Sequence, residues 1–197
     1  GGNPLVHSAA MACQSGQPGS RTCWAQLIPF DIELPADKIE IYLAEIHASQ
    51  SVRETWSAIQ ARGLPWKERY TKHARIEFAG DTPADSSTRQ AQPVDMGMDV
   101  ILESGLQPIR AGNDLVFQVR RDGAPLGDFE VELLSDRHDV SIWRKTDPHG
   151  RIRVEVPLPG RWVLRGTDLR LSQTHPDTWE SRFVTLAFDV ETAQPTP

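Results

Sequence analysis

The sequence predicts a mainly β protein with a helical segment (α+β), whose C-terminal part, 95–191, is a seven-stranded antiparallel β-sandwich of immunoglobulin-like or transthyretin-like type. Three observations predict it. Apolar and polar residues alternate with period two near 96–103, 114–121, 128–135, 139–146, 150–157, 161–167 and 182–190, the spacing that turns one face of a strand toward a core. Turn chemistry separates these runs, as in "RDGAPLGD" and "TDPHGR", where Asp-Gly and Pro-His-Gly favour tight reversals. Short strands at such regular spacing bury their apolar faces by stacking as two sheets. Leu115, Phe117 and Val119 share one face of their strand, and Phe129, Val131 and Leu133 share one face of the next.

Residues 1–34 read as a β-hairpin, with strands near 4–12 and 22–33, the second carrying Trp24, Leu27, Ile28 and Phe30. Cys13 and Cys23 flank "QSGQPGSRT", a Gly/Pro/Ser-rich spacer that reads as a hairpin loop and brings the two thiols side by side. A Cys13–Cys23 disulfide is expected, and disulfides belong to oxidising compartments outside the cytosol. A lone hairpin buries too little to be stable. Its apolar strand must therefore pair with the sandwich, with the helices or with a second copy of the chain, so a homodimer through the hairpin is one outcome.

Residues 35–79 read as a helical segment. Pro35 suits a first helical turn, and Ile39, Leu43 and Ile46 follow at helical spacing. Ser51 and Glu54 have the spacing of a capping box, Val52, Trp56 and Ile59 make an apolar face, and Gly63 ends the run. Pro65 opens a third expected helix, with Trp66, Tyr70 and Ala74 on one face. Residues 80–94 hold little to bury and several turn formers, and read as a linker.

The formal net charge of −6 argues against nucleic acid as a partner, since phosphate binding needs a basic footprint. Nothing approaches the ~20 apolar residues of a spanning helix, so the chain is not expected to cross a membrane by one. The sequence holds no GxSxG, no HExxH and no glycine-rich phosphate loop, and a non-enzymatic protein is expected. A basic run from Arg144 to Arg170, including Arg151, Arg153 and Arg165, reads as cross-strand pairing with carboxylates such as Glu130 and Glu132.

None of the six histidines has another at a spacing that builds a metal site on one element. His138 and His149 fall in turns, and Met96 and Met98 of "MGM" suit strand packing better than soft ligation. His175 and Asp177 share one loop and are the best candidate ligands for a transition metal ion such as nickel, cobalt or copper. In the same loop Trp179 reads as a plug at the end of the sandwich, its indole N–H satisfied by a backbone carbonyl. Glu180 is expected to accept from backbone amides or from an arginine such as Arg165 or Arg170. Trp162 is a second structural tryptophan.

"DLVFQVRRDGAPLGDFEVELLS", "TDPHGRIRVEVPLPGRWVLRGTDLRL" and "DTWESRFVTLAFDV" resemble the C-terminal domain of a bacterial periplasmic family of unknown function associated with nickel uptake. "ELPADKIEIYLAE" and "KERYTKHARIEF" are similar to that family's middle helical segment. The resemblance implies a periplasmic location and a non-enzymatic binding or accessory role in nickel or cobalt uptake or homeostasis. It also implies a membrane transport component or another envelope protein as partner. Residues 1–34 would then be the last hairpin of a larger N-terminal β-domain. The alternative is a β-sandwich adaptor for a protein or an envelope glycan, with no metal role.

Overall fold

The structure, a computed structural model, describes residues 9–15, 21–78, 92–105 and 108–193. The chain begins with β1 (Ala9–Ser15), β2 (Arg21–Leu27), β3 (Phe30–Leu34), α1 (Ala36–Glu45), α2 (Gln50–Ala61) and the long β4 (Trp66–Phe78). Then come β5 (Met98–Leu102), β6 (Ile109–Arg110), β7 (Asp114–Arg121), β8 (Ala124–Pro125) and β9 (Glu130–Ser135). It ends with β10 (Ser141–Lys145), β11 (Arg151–Glu155), β12 (Gly160–Leu171) and β13 (Thr178–Glu191).

The seven strands expected in 95–191 form an immunoglobulin-like sandwich. Four of them, in the order β10-β9-β12-β13, make one antiparallel layer, and three, β11-β7-β5, make the other. This is the four-plus-three division of an immunoglobulin constant domain. Leu115, Phe117, Val119, Phe129, Val131 and Leu133 are all buried between the layers.

The larger sheet continues past β13. β4 pairs with β13 in parallel, from Lys67 opposite Thr178 to Ile76 opposite Ala187. β2 and β3 then pair with the two halves of β4, and β1 lies outside β2. The hairpin thus finds its partner within the chain. Cys13 and Cys23 face each other in register and are joined as a disulfide.

The third expected helix is a strand. Trp66, Tyr70 and Ala74 have helical spacing, and Lys, Glu, Arg and Ala around them favour helix, but tertiary pairing on both edges of β4 overrides that weak preference. The period-two signal was masked because the strand buries opposite faces at its two ends. Trp66 and Glu68 are buried on the helix side, whereas His73, Arg75 and Glu77 are buried on the side facing β5. A polar residue at a core position hides the alternation. β13 makes the same exchange, with Trp179 and Ser181 buried under the helices and Val184, Leu186 and Phe188 buried in the sandwich. The expected linker 80–94 lies largely outside the described residues.

The helices pack on the N-terminal half of β4. Ile39 and Leu43 of α1 and Trp56 and Ile59 of α2 close a second core with Trp66, Leu169 and Trp179. Ser49, not Ser51, caps α2, accepting from the Val52 amide at 3.4 Å. Gly63 follows the helix at φ 74°, a conformation that glycine adopts without a Cβ penalty.

Between β4 and the second layer lies a buried polar seam. Arg75 donates to Glu77 at 2.5 Å, to both oxygens of Asp99 at 3.0 and 2.8 Å, and to the Gln92 carbonyl at 2.8 Å. His73 Nδ1 lies 3.1 Å from the Phe183 carbonyl, which makes Nδ1 the protonated nitrogen. Its Nε2 faces Gly97, where an added Cβ would come within 3.0 Å. Burial pushes the His73 pKa below its usual value; the Phe183 carbonyl opposes this, the Arg182 guanidinium reinforces it, and Asp122 and Asp99 oppose it.

A pH dependence of stability follows. An unfolded histidine takes up its proton near pH 6.5, whereas folded His73 does so only at lower pH. The unfolded state therefore binds more protons in that window. Stability should be fully present above about pH 6.5 and fall below it, by up to ~1.4 kcal/mol per pH unit, until the folded imidazole also titrates. Denaturant midpoints of the parent should decline from pH 7 to 5.5, and those of His73→Gln should decline less. Parallel slopes would refute the assignment.

Candidate functional site

The face swap leaves a groove. α1 crosses the sheet where Glu68, Tyr70 and Lys72 of β4 alternate onto the helix side. Register places Ile32 beside Glu68, Phe30 beside Tyr70, and Phe183 beside Lys72. The space between this floor and α1 is about 470 Å³, walled by Ile32, Leu34, Ile41, Tyr42, Tyr70 and Phe183. A second hollow of about 350 Å³ shares Tyr42, Glu45, Lys72 and Phe183 and carries the groove toward Trp143 on β10. At that far end the ring of His47, just beyond α1, stacks on Trp143 with centroids 3.5 Å apart.

Glu68 is the group at the bottom. It is 2% exposed, and no lysine, arginine or histidine among the described residues lies within ion-pair distance of it. Three neutral donors meet its oxygens instead. The Tyr42 hydroxyl donates to Oε1 at 3.1 Å, the Ser181 hydroxyl donates to the same oxygen, and Trp66 Nε1 donates to Oε2 at 2.8 Å. Burial, with the adjacent Glu68 carboxylate, pushes the Tyr42 phenol's pKa up; Tyr42 stays a donor.

Lys72 stands at the opposite end of the floor, its Nζ 5.6 Å from the Tyr70 ring centroid and 5.9 Å from that of Phe183. Lys38 and Glu45 of α1 overhang the groove. Lys38 approaches the exposed Asp37 at 3.4 Å. Among the described residues, neither Lys72 nor Glu45 has an ion-pair partner.

The residues singled out from sequence fall elsewhere. Asp177 is ion-paired to Arg62 of the α2 C-cap at 2.6 Å. His175 Nδ1 lies 2.9 Å from the Thr174 hydroxyl, and its amide donates to Ser172 Oγ. Asp177 thereby ties the β12–β13 loop to α2. Among the described residues no three His, Cys, Asp or Glu side chains gather to hold a metal ion.

Trp179 stacks on Trp66 at 4.9 Å and 15°. It fills the core under the helices and does not plug the sandwich end, and among the described residues its Nε1 has no hydrogen-bond partner. The expected indole-to-carbonyl bond belongs instead to Trp162, which donates to Leu158 at 2.9 Å from inside the sandwich. Glu180 accepts from the Ser172 hydroxyl at 2.6 Å, not from an arginine. The basic run is paired: Arg151 with Glu103, Arg165 with Glu132, and Lys145 with Asp128 and Glu130.

Sequence reading missed Glu68, Tyr42 and Lys72. The available signal was the alternation W-E-Y-K over 66–72 in every second position, which the helical assignment absorbed.

No family model matches the chain, and no curated protein does. Among solved structures, the chain is similar to the PKD domain from human VPS10 domain-containing receptor SorCS2. Identity is 17%, the TM-score is 0.32, and the match covers 59% of this chain and 94% of that one. The immunoglobulin-like assignment rests on the strand order above. Among the described residues no helix is long and apolar enough to cross a membrane.

Proposed function

We propose that the chain is a non-enzymatic binding or accessory module of the periplasm, and that it works by holding a ligand in the groove between α1 and β3-β4-β13. The observation that carries this reading is the incomplete seating of α1. Its Ile41 is 54% exposed beside a half-buried aromatic wall, and among the described residues Lys72 and Glu45 at the opening have no ion-pair partner. A helix that served packing alone would close over such a wall; concave apolar surface with a few polar groups is how ligand sites are built.

The Cys13–Cys23 disulfide supports an oxidising compartment. The resemblance to the nickel-uptake family supports the periplasm and an accessory role in transport. Because Asp177 is committed to Arg62, a link to nickel or cobalt runs through a docked component and not through an ion held by His175 and Asp177. The adaptor reading, with no metal role, uses the same groove.

Two measurements test this. Small apolar and zwitterionic fragments added to the isotope-labelled protein should shift the amide signals of Tyr42, Tyr70, Lys72 and Phe183, and Phe183→Ala should weaken them about tenfold, the loss of one aromatic wall. Hits scattered over the surface would remove the proposal. Nickel titration should give the same heats for the parent and for His175→Ala/Asp177→Ala; a loss in the variant would restore the loop as a metal site.

A further inference from the structure

We propose that β1 is a self-association edge, on which a second copy of the chain adds its own β1 antiparallel across a two-fold axis. β1 and β10 end the larger sheet, and an edge strand leaves a row of N–H and C=O groups unpaired. Folded proteins blunt such edges with charge, proline or a bulge. β10 carries Arg144 and Lys145, β11 at the rim of the other layer carries Arg151, Arg153 and Glu155, and β5 is buried throughout. β1, with the sequence AAMACQS, has no charge and no proline, and it pairs with β2 without a bulge from Ala9 to Ser15. Its Met11 is 79% exposed, and among the described residues no strand lies on its outer edge.

The disulfide-linked pair identifies the groups that face out. Cys13 and Cys23 have Cα atoms 4.1 Å apart, the short spacing of a pair that exchanges no backbone hydrogen bonds. The bonds to β2 therefore belong to Ala10, Ala12 and Gln14, opposite Gln26, Trp24 and Thr22. Ala9, Met11, Cys13 and Ser15 turn their N–H and C=O groups outward, along an edge of roughly 20 Å at ~3.3 Å per residue.

Symmetry then sets the register. A second β1 running antiparallel uses every outward group when Ala9 faces the copy's Ser15 and Met11 faces the copy's Cys13. Ala12 falls on the two-fold axis opposite itself, in the closer, non-bonded type of pair, where a methyl group fits. Met11 lies along the copy's disulfide, apolar against apolar, and no charge meets a like charge. An isologous contact requires such self-complementarity. A foreign strand could make the same backbone bonds, but nothing in β1 selects one. The disulfide also holds β1 on β2 before the copy arrives, so association does not have to order the strand. Pairing along one short strand covers less than the ~1,200 Å² of a stable interface, and the dimer is therefore transient and concentration-dependent. It does not depend on the groove under α1.

Sedimentation equilibrium of the oxidised chain should show the mass rising from one copy toward two as concentration increases. Ala12→Lys and Ala12→Glu each place like charges opposite one another on the axis, and each should weaken association about fivefold. An equimolar mixture of the two variants should associate at least as well as the parent. Ala12 is exposed, so both variants should keep the parent's far-ultraviolet dichroism. Hydrogen exchange reads the edge directly. At high concentration the amides of Met11 and Cys13 should slow, while those of Ala10, Ala12 and Gln14, already bonded to β2, change little. A monomer at every concentration would overturn the proposal, as would a dimer indifferent to charge at position 12 or protection without this alternation. Protection of Met11 and Cys13 only on adding an unrelated extended peptide would make β1 an edge for other chains, and self-association would fail.

Discussion

Arg75→Met is expected to cost the fold about 3–5 kcal/mol, the loss that follows when one partner of a buried ion pair is removed. The Arg75 side chain is fully buried, with Glu77 and Asp99 nearly so. Methionine fills most of the volume but leaves two carboxylates facing each other without a cation. Both must then be held neutral to stay inside, so their pKa values rise above those of the unfolded chain. A carboxyl with a raised folded pKa favours the fold at low pH and loses that contribution as pH rises through it. The variant should therefore be relatively more stable at pH 5 than at pH 7, the opposite of the trend set by His73 in the parent. Urea midpoints across this range measure it, and adding Glu77→Gln and Asp99→Asn should recover most of the loss. A variant as stable as the parent at pH 7 would show that the seam contributes nothing.

Trp66→Ala is expected to destabilise by about 3–5 kcal/mol through the cavity it opens. Trp66 is 1% exposed, stacks on Trp179, meets Trp56 edge-on at 5.1 Å and Tyr42 at 6.0 Å, and donates to Glu68 Oε2. It joins both helices to the sheet. Guanidinium unfolding followed by far-ultraviolet dichroism should report the loss. Trp66→Phe keeps most of the ring contact and removes the N–H, and should cost about 1–3 kcal/mol for the buried acceptor left unpaired. If alanine and phenylalanine proved equal, ring packing would not be what holds the helices.

The sandwich was legible because its core positions are apolar. Leu115, Phe117 and Val119 announce their face by spacing alone, and "RDGAPLGD" marks its turn by composition. β4 was not legible for the converse reason. Its inward positions over 73–77 are His73, Arg75 and Glu77, which belong inside only because Asp99, Thr22 and the Phe183 carbonyl meet them there. None of those partners is near in sequence. The disulfide needed only a short loop between its cysteines, whereas the ion-pair partner of Asp177, Arg62, lies 115 residues away.

Local order in the chain thus determined what depends on neighbours: strand faces, turns, helix ends, and the hairpin that brings Cys13 to Cys23. The tertiary structure alone decided that β4 is a strand, that it exchanges its buried face midway, and that Glu68 and Lys72 come to line one groove. The reason is physical. A buried charge is tolerated only where distant groups answer it, and a sequence read along its length shows the charge without the answer.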